Sequence, residues 1–382
     1  MRAISQPRLL YLMNEALFFT THRMPVALAA RAQGFEVHVA APYAAEHVAV
    51  IERNGFAYHA ISLQRGGQSP IADLRLFLAC WRLIRQLRPR LVHHVAMKPI
   101  LYGGLASRLL GVPATVHAVT GLGHLFVRQD WRARSLRWIV LRLYRLALRH
   151  GNARVIFQNR DDLAMFVARG LVAPAATRLI RGTGVDMAVF HPAPTLPWPP
   201  LVLFPARLIA DKGVYEFVAA ARLLKQHGMP GRFVLVGRRD PENPTDVAEA
   251  TLHGWVADGI VEWWGFRRDM PEVLRQASIV CTPSYREGLP RGLIEAAASG
   301  LPIVTTDVPG CREIVEHEAT GLLVPARDAP ATAAALGRLI ADRALCQRLG
   351  AEGRRRALRD YALEPFVAAT LALYRELLPC PG

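Results

Sequence analysis

Lysine is nearly missing from this chain of 382 residues. Lys98, Lys212 and Lys225 are three of its 47 basic residues, and arginine supplies the rest. Where arginine serves almost everywhere, a lysine marks a position that wants a compact point charge rather than a planar fork. Cysteine is also scarce: Cys80, Cys281, Cys311, Cys346 and Cys380 are odd in number and show no C-x-x-C spacing. That excludes a disulfide framework and a zinc knuckle, and predicts reduced thiols in a cytosolic protein. No charge-free apolar run approaches the roughly 18 residues that a membrane span needs. The first stretch, MRAISQPRLLYLMNEALFF, is broken by Asn14 and Glu15 and lacks a small-residue cleavage site. It reads as a strand and not a signal peptide. Acidic residues fall short, 31 against 47 basic, leaving a net charge of +16. The imbalance favours nucleic acid, phosphorylated metabolites or a lipid surface as partners, or else marks arginine as the default surface charge.

Apolar mass is plentiful. Hydrophobic residues make up 52% and charged residues 20%, which excludes wholesale disorder. The length suggests two domains of roughly 180 residues. Short apolar runs alternate with longer amphipathic ones, the mark of βαβ units in a parallel sheet. LLYLM (9–13), EVHVAA (36–41), RLVHHVA (90–96), ATVHAV (114–119) and ARVIFQN (153–159) read as strands, with helices over 24–34, 73–87 and 102–111 between them. HPAPTLPWPP (191–200) then sets five prolines in ten residues, which suits neither a helix nor a central strand. The fold class is therefore α/β. Residues 1–190 form a first Rossmann-like domain, 191–200 a linker, 201–362 a second Rossmann-like domain, and 363–382 a crossover helix returning to the first. Open α/β sheets bind ligands at the carboxyl ends of their strands, so the expected site is the cleft between the halves.

Arg207 lies at the carboxyl end of LVLFPA, and Lys212 just before the following helix. Helix-terminal N–H groups favour an anion there. A diphosphate would be gripped by Arg207 as a fork and Lys212 as a point charge, although an ordinary basic turn has the same residues. Farther on, REGLPRGLIEAAASGLPIV (286–304) leaves the apolar strand SIVCTPS and includes a helix stopped by Gly300. Glu287 falls in the loop at the strand end. Glu295 comes two turns later, about 80° around the axis, so both can face one ligand at different depths. Amides after Gly288, from Leu289 on, can cap a phosphate, which leaves the carboxylates to accept hydrogen bonds from hydroxyls. E-x7-E alone is weak. Framed as E-G-L-P-x5-A-x3-G-x-P-I-V and preceded by P-S, it is specific.

These residues resemble the retaining glycosyltransferases of family 4, built on the two-domain GT-B fold. The resemblance spans nearly the whole chain through FPARLIADKG (204–213), GTGVDMAVFHP (182–192), the block 261–304 and EATGLLVP (318–325). It implies that Arg207 and Lys212 hold a nucleotide-sugar diphosphate, with Gly288 and Leu289 beside it, that Glu287 orients the donor sugar, and that Glu295 takes the ribose. Ala297 and Ala298 depart from the methionine found in many relatives after the Glu-Ala pair. In the first half, THRMPVALAARAQGFEVHVAAP (21–42), the segment 93–126 and VIFQNRDDLAMFVARG (155–170) resemble enzymes that extend a polyprenyl-diphosphate-linked saccharide in O-antigen, capsule or glycoprotein glycan assembly. The implied partners are a UDP-type nucleotide sugar and that lipid-linked acceptor at the inner membrane face.

No D-x-D triplet occurs, so no cofactor and no metal are expected; the two cations and helix amides would neutralise the leaving group. His117, just ahead of the AVTGLG loop, is either near the transferring sugar or a core histidine. Adjacent His93 and His94 point to opposite faces of a strand. Lys98 and Arg23 are candidates for the acceptor's diphosphate. The stretch 127–150 carries seven arginines, one aspartate and Trp131 and Trp138, and reads either as a face for an anionic membrane or as a packed helix with a solvated arginine side. A nucleotide-sugar epimerase or a soluble-acceptor glycosyltransferase is the alternative on the same fold. A sugar phosphorylase would need a late pyridoxal lysine, and none follows Lys225. Nucleic-acid binding is suggested by charge alone, without a recognition helix, zinc site or stacking aromatics.

Overall fold

The computed structural model describes residues 6–63, 69–122, 126 and 130–378. Its chain divides into two compact units, Met1–Gly184 with Glu364–Gly382, and Val185–Leu363. In the first, β1 (Arg8–Leu12), β2 (Glu36–Ala41), β3 (Ala57–Ala60), β4 (Leu91–Val95), β5 (Ala114–Val119), β6 (Ala153–Phe157) and β7 (Thr177–Leu179) form one sheet in the order β3-β2-β1-β4-β5-β6-β7. In the second, β8 (Leu201–Pro205), β9 (Arg232–Val236), β10 (Glu262–Trp263), β11 (Ile279–Thr282), β12 (Ile303–Thr306) and β13 (Gly321–Val324) follow the order β10-β9-β8-β11-β12-β13. Every pairing is parallel. Two Rossmann-like parallel sheets are the architecture expected of the sequence.

Parallel strands with helices on both faces are buried on both sides, which is why these runs are apolar without alternation. In β8, Val202 and Phe204 enter one core layer while Leu201 and Leu203 enter the other. Helix starts follow the short polar residues ahead of them. Ser69, Asp130, Asn159, Asp328 and Asp342 each accept a hydrogen bond from the backbone three residues on, worth about 1 kcal/mol apiece. Cys80, Cys281, Cys311 and Cys346 carry free, buried thiols; Cys380 lies outside the described residues. Among the described residues no helix is long and apolar enough to cross a membrane.

The helix expected over 102–111 begins differently. Ala96 turns the chain at φ 77°, Lys98 follows, and Pro99–Gly103 makes a π turn before the α-helix Gly104–Leu109. The proline-rich segment belongs to the second unit: Ser278 Oγ donates to Pro197 O at 2.7 Å. The helix Leu363–Leu377 lies in the first unit apart from its first residue. There the Tyr374 hydroxyl meets the Tyr11 hydroxyl at 2.9 Å and His93 Nδ1 at 2.6 Å, and Glu376 accepts from Arg154 and Arg178.

Candidate active site

The second sheet reverses its strand order between β8 and β11, and such a switch point leaves a crevice outside the carboxyl ends of the strands. Two connections meet there. After β8 the chain carries Arg207 and a short 3₁₀ turn, Ala210–Lys212. After β11 it carries Glu287, Gly288 and Leu289 before the helix Arg291–Ala298. Two glycines bring the pieces close. A Cβ on Gly213, at φ 77°, would stand 2.1 Å from Pro283 O, and one on Gly310, at φ 82°, would stand 2.7 Å from Glu287 O. Larger residues would push the loops apart, so glycine is required at both positions.

Three ion pairs line this end of the sheet. Arg207 donates to Asp240, Lys212 to Glu287, and Arg291 Nε to Glu295 Oε1 at 2.7 Å. In each pair the acid is the more buried partner. Side-chain exposures are 11% for Asp240, 11% for Glu287 and 12% for Glu295, against 36%, 20% and 25% for Arg207, Lys212 and Arg291. The carboxylates therefore fix the side chains, and each cation remains the more open partner of its pair. Burial raises the Glu295 pKa against the opposing pull of Arg291. Such an array can receive a diphosphate on its cationic side without leaving a buried acid unpaired. The structure thus brings Arg207, Lys212, Glu287, Gly288, Leu289 and Glu295 to neighbouring connections of one sheet. Sequence reading missed Asp240, which sits in a polar loop with no frame of its own. It missed Arg291 as well, although the i, i+4 spacing to Glu295 was a signal that could have found it.

The first-unit candidates fall into two settings. Lys98 Nζ bonds Asp73 Oδ1 at 2.9 Å, with side-chain exposures of 17% and 23%. It stands between the strained Ala96 and the π turn, two irregularities that cluster at functional positions. Arg23 and His117 are interior instead. Arg23 is 2% exposed and lies over the Phe366 ring at 5.5 Å. His117 meets no solvent, stacks on His94 at 4.7 Å, and has no hydrogen-bond partner at either ring nitrogen. Both side chains are held by packing, because the layers covering them leave no open edge. His93 and His94 do face opposite ways, one toward Tyr374 and the other toward Ser107.

Burial drives the His94 pKa down to about 3 and places those of His93 and His117 well below the usual value. All three are neutral in the fold at pH 7. The unfolded chain binds their protons near pH 6.5, so it holds more protons than the native state below that value. Stability is then complete above about pH 6.5 and is lost as pH falls, by about 1.4 kcal/mol per pH unit for each histidine. Urea midpoints measured from pH 7 to pH 5 will show a steep fall, and His117→Leu will flatten it by one proton. A slope that His117→Leu leaves unchanged would show that the ring is not held neutral.

Known proteins resemble this chain over both of its units. Residues 8–159 match the family profile described as "Glycosyl transferase 4-like", and residues 199–342 match "Glycosyl transferases group 1". An N,N'-diacetylbacillosaminyl-diphospho-undecaprenol alpha-1,3-N-acetylgalactosaminyltransferase of Campylobacter jejuni is 28% identical over 88% of this chain and 90% of its own. A UDP-Gal:alpha-D-GlcNAc-diphosphoundecaprenol alpha-1,3-galactosyltransferase of Escherichia coli is 26% identical over 72% and 73%. Among solved structures, a sucrose-phosphate synthase from Thermosynechococcus elongatus superposes with TM-score 0.77 at 22% identity over 97% of this chain and 99% of its own. Anabaena HepE in complex with UDP and glucose gives 0.76 at 18% over 97% and 100%. The two profiles cover both halves and the fold is shared end to end, so the chain is a glycosyltransferase of GT-B fold built from a glycosyl transferase 4-like domain and a group 1 domain.

Proposed function

We propose that this glycosyltransferase moves a hexose or N-acetylhexosamine, with retention of anomeric configuration, from a UDP-sugar to a polyprenyl-diphosphate-linked saccharide at the inner face of the membrane. The observation that carries the reading is the set of partly exposed cations, each paired with a less exposed acid, at the β8/β11 switch point. Arg207 and Lys212 hold the diphosphate, Gly288 and Leu289 offer backbone amides, Glu287 accepts from the donor sugar's hydroxyls, and Glu295 from the ribose. The cations neutralise charge on the leaving diphosphate as the glycosidic bond breaks. That diphosphate takes the acceptor hydroxyl's proton on the face where the new bond forms. Lys98 meets the acceptor's diphosphate, whereas Arg23 and His117 support the core of the acceptor unit.

Two features support the membrane and acceptor side. The curated relatives named above act, by their names, on undecaprenyl-diphosphate-linked sugars. The helix Trp131–Leu148 exposes Trp131, Trp138, Ile139 and Leu146, with Arg132 over Trp131 and Arg142 over Trp138. Amphipathic rings beside arginines suit an anionic headgroup layer, at about 1 kcal/mol per cation near the surface. Residues 127–129 of that stretch lie outside the described residues.

A thermal-shift screen across UDP-, GDP- and dTDP-sugars in the presence of a chelator tests the donor side. The correct donor at a hundred times its Kd adds about 2.7 kcal/mol to stability, and it does so without divalent metal. A shift that appears only after Mg²⁺ or Mn²⁺ is restored would overturn the metal-independent grip, and no shift with any nucleotide sugar would overturn the donor site.

A further inference from the structure

Beside the Lys212–Glu287 pair lies a polar cluster that no contact assigned above uses. Tyr285 stands two residues before Glu287 and donates its hydroxyl to Glu216 Oε1 at 2.7 Å. Glu216 belongs to the first turn of the helix Val214–Gln226, and its Oε2 is buried without a hydrogen-bond partner. The Tyr285 backbone N–H donates to Asp211 O at 2.9 Å, which ties the loop to the turn carrying Lys212. From a third side Arg327 lies over the Tyr285 ring, 4.6 Å from its centroid. Arg327 holds φ at 63°, a left-handed conformation that is strained for a residue with a Cβ. Burial, and then the Glu216 carboxylate, push the Tyr285 pKa above its ordinary value. The phenol therefore remains a hydrogen-bond donor at physiological pH.

A ring carried by one connection of the sheet and held by two others fixes their spacing. We infer that Tyr285 is a positioning residue that holds the Lys212 turn and the Glu287 loop at the separation a nucleotide sugar spans, with Arg327 strained to clamp its ring. The inference rests on the donor assignment above. By that assignment both ligands use Lys212, the amides at Gly288 and Leu289 and the Glu295 carboxylate, while only the intact nucleotide sugar also reaches the Glu287 carboxylate, whose distance from Lys212 the clamp sets. Loss of the clamp therefore separates these two ligands, where a general packing defect would weaken both alike.

Two variants test it. Tyr285→Phe keeps the ring and loses the hydroxyl, and Arg327→Gly removes the ring contact while relieving the backbone. Hydrogen exchange over 207–213 and 283–288 requires no ligand, and both variants will speed it in the two segments together, by about tenfold. Titration calorimetry with UDP-N-acetylgalactosamine and UDP as probes will show the sugar nucleotide weakened about tenfold and UDP changed less than about twofold. Arg327→Gly will keep or raise Tm, because glycine accepts φ 63° without strain, so its lost affinity is not lost folding. Unchanged exchange in both variants overturns the inference, whatever the ligands do. Equal weakening of the two nucleotides overturns it as well. Should the native protein bind neither nucleotide while exchange in both segments still responds, the clamp stands and the donor assignment falls.

Discussion

Glu287→Ala will lower kcat by about a thousandfold while leaving UDP affinity unchanged or slightly tighter. The two signs follow from one contact. Glu287 is bonded to Lys212 and is mostly buried beside it. A carboxylate that accepts hydrogen bonds from the donor sugar acts on the reacting end of the ligand, and its loss is felt in the transfer step. The same carboxylate competes with the incoming diphosphate for Lys212, so removing it releases the cation. Lys212→Ala reverses the pattern by weakening UDP and the nucleotide sugar together, because both ligands carry the diphosphate. Steady-state kinetics paired with titration of UDP reads both quantities. Retention of more than about a tenth of the native kcat by Glu287→Ala would remove this residue from the transfer step.

Deleting residues from Leu363 onward will prevent the first unit from folding, although nearly all of that unit lies far earlier in the chain. Phe366, Leu371, Leu373, Tyr374 and Leu377 of the last helix are buried, and at about 2 kcal/mol each they contribute about 10 kcal/mol. That is comparable to the whole stability of an ordinary domain. The deletion also strips the Tyr11 and His93 side chains of the hydroxyl they share and leaves Arg23 without the Phe366 ring. Near-ultraviolet circular dichroism of the truncated chain will lose the signal of the first unit's aromatic core. Tyr374→Phe, which removes one oxygen and orphans its partners, will cost about 1 to 3 kcal/mol. A truncated protein with native tertiary signals would show that the first unit is complete without this helix.

The two connections that meet at the β8/β11 switch point were legible in the sequence. Glu287 and Glu295 stand out through the glycines and prolines around them, which predict a loop that leaves a strand and enters a helix, as the structure has it. Arg207 and Lys212 were found by their place after an apolar strand, and topology did the rest. Their acid partners were less accessible. Asp240 reaches Arg207 across 33 residues of intervening chain, and only the pairing of β8 with β9 brings them together. Tyr285, Glu216 and Arg327 stand on three connections that no local spacing links.

The histidines mark the boundary between the two kinds of knowledge. Alternation along β4 set His93 and His94 on opposite faces, since successive side chains of a strand must diverge. Whether a face meets water or another layer is decided by the elements that cover it. For His117 that cover includes His94 and the helix starting at Gly104; for Arg23 it includes Phe366 from the far end of the chain. Local sequence determined the strands, the helices, the glycine-bounded loops and the order of the two sheets' building blocks, because each depends on residues near one another in the chain. Burial, ion-pair partners and the strain at Ala96 and Arg327 were decided by the tertiary structure, because they depend on segments that meet only when the sheets assemble.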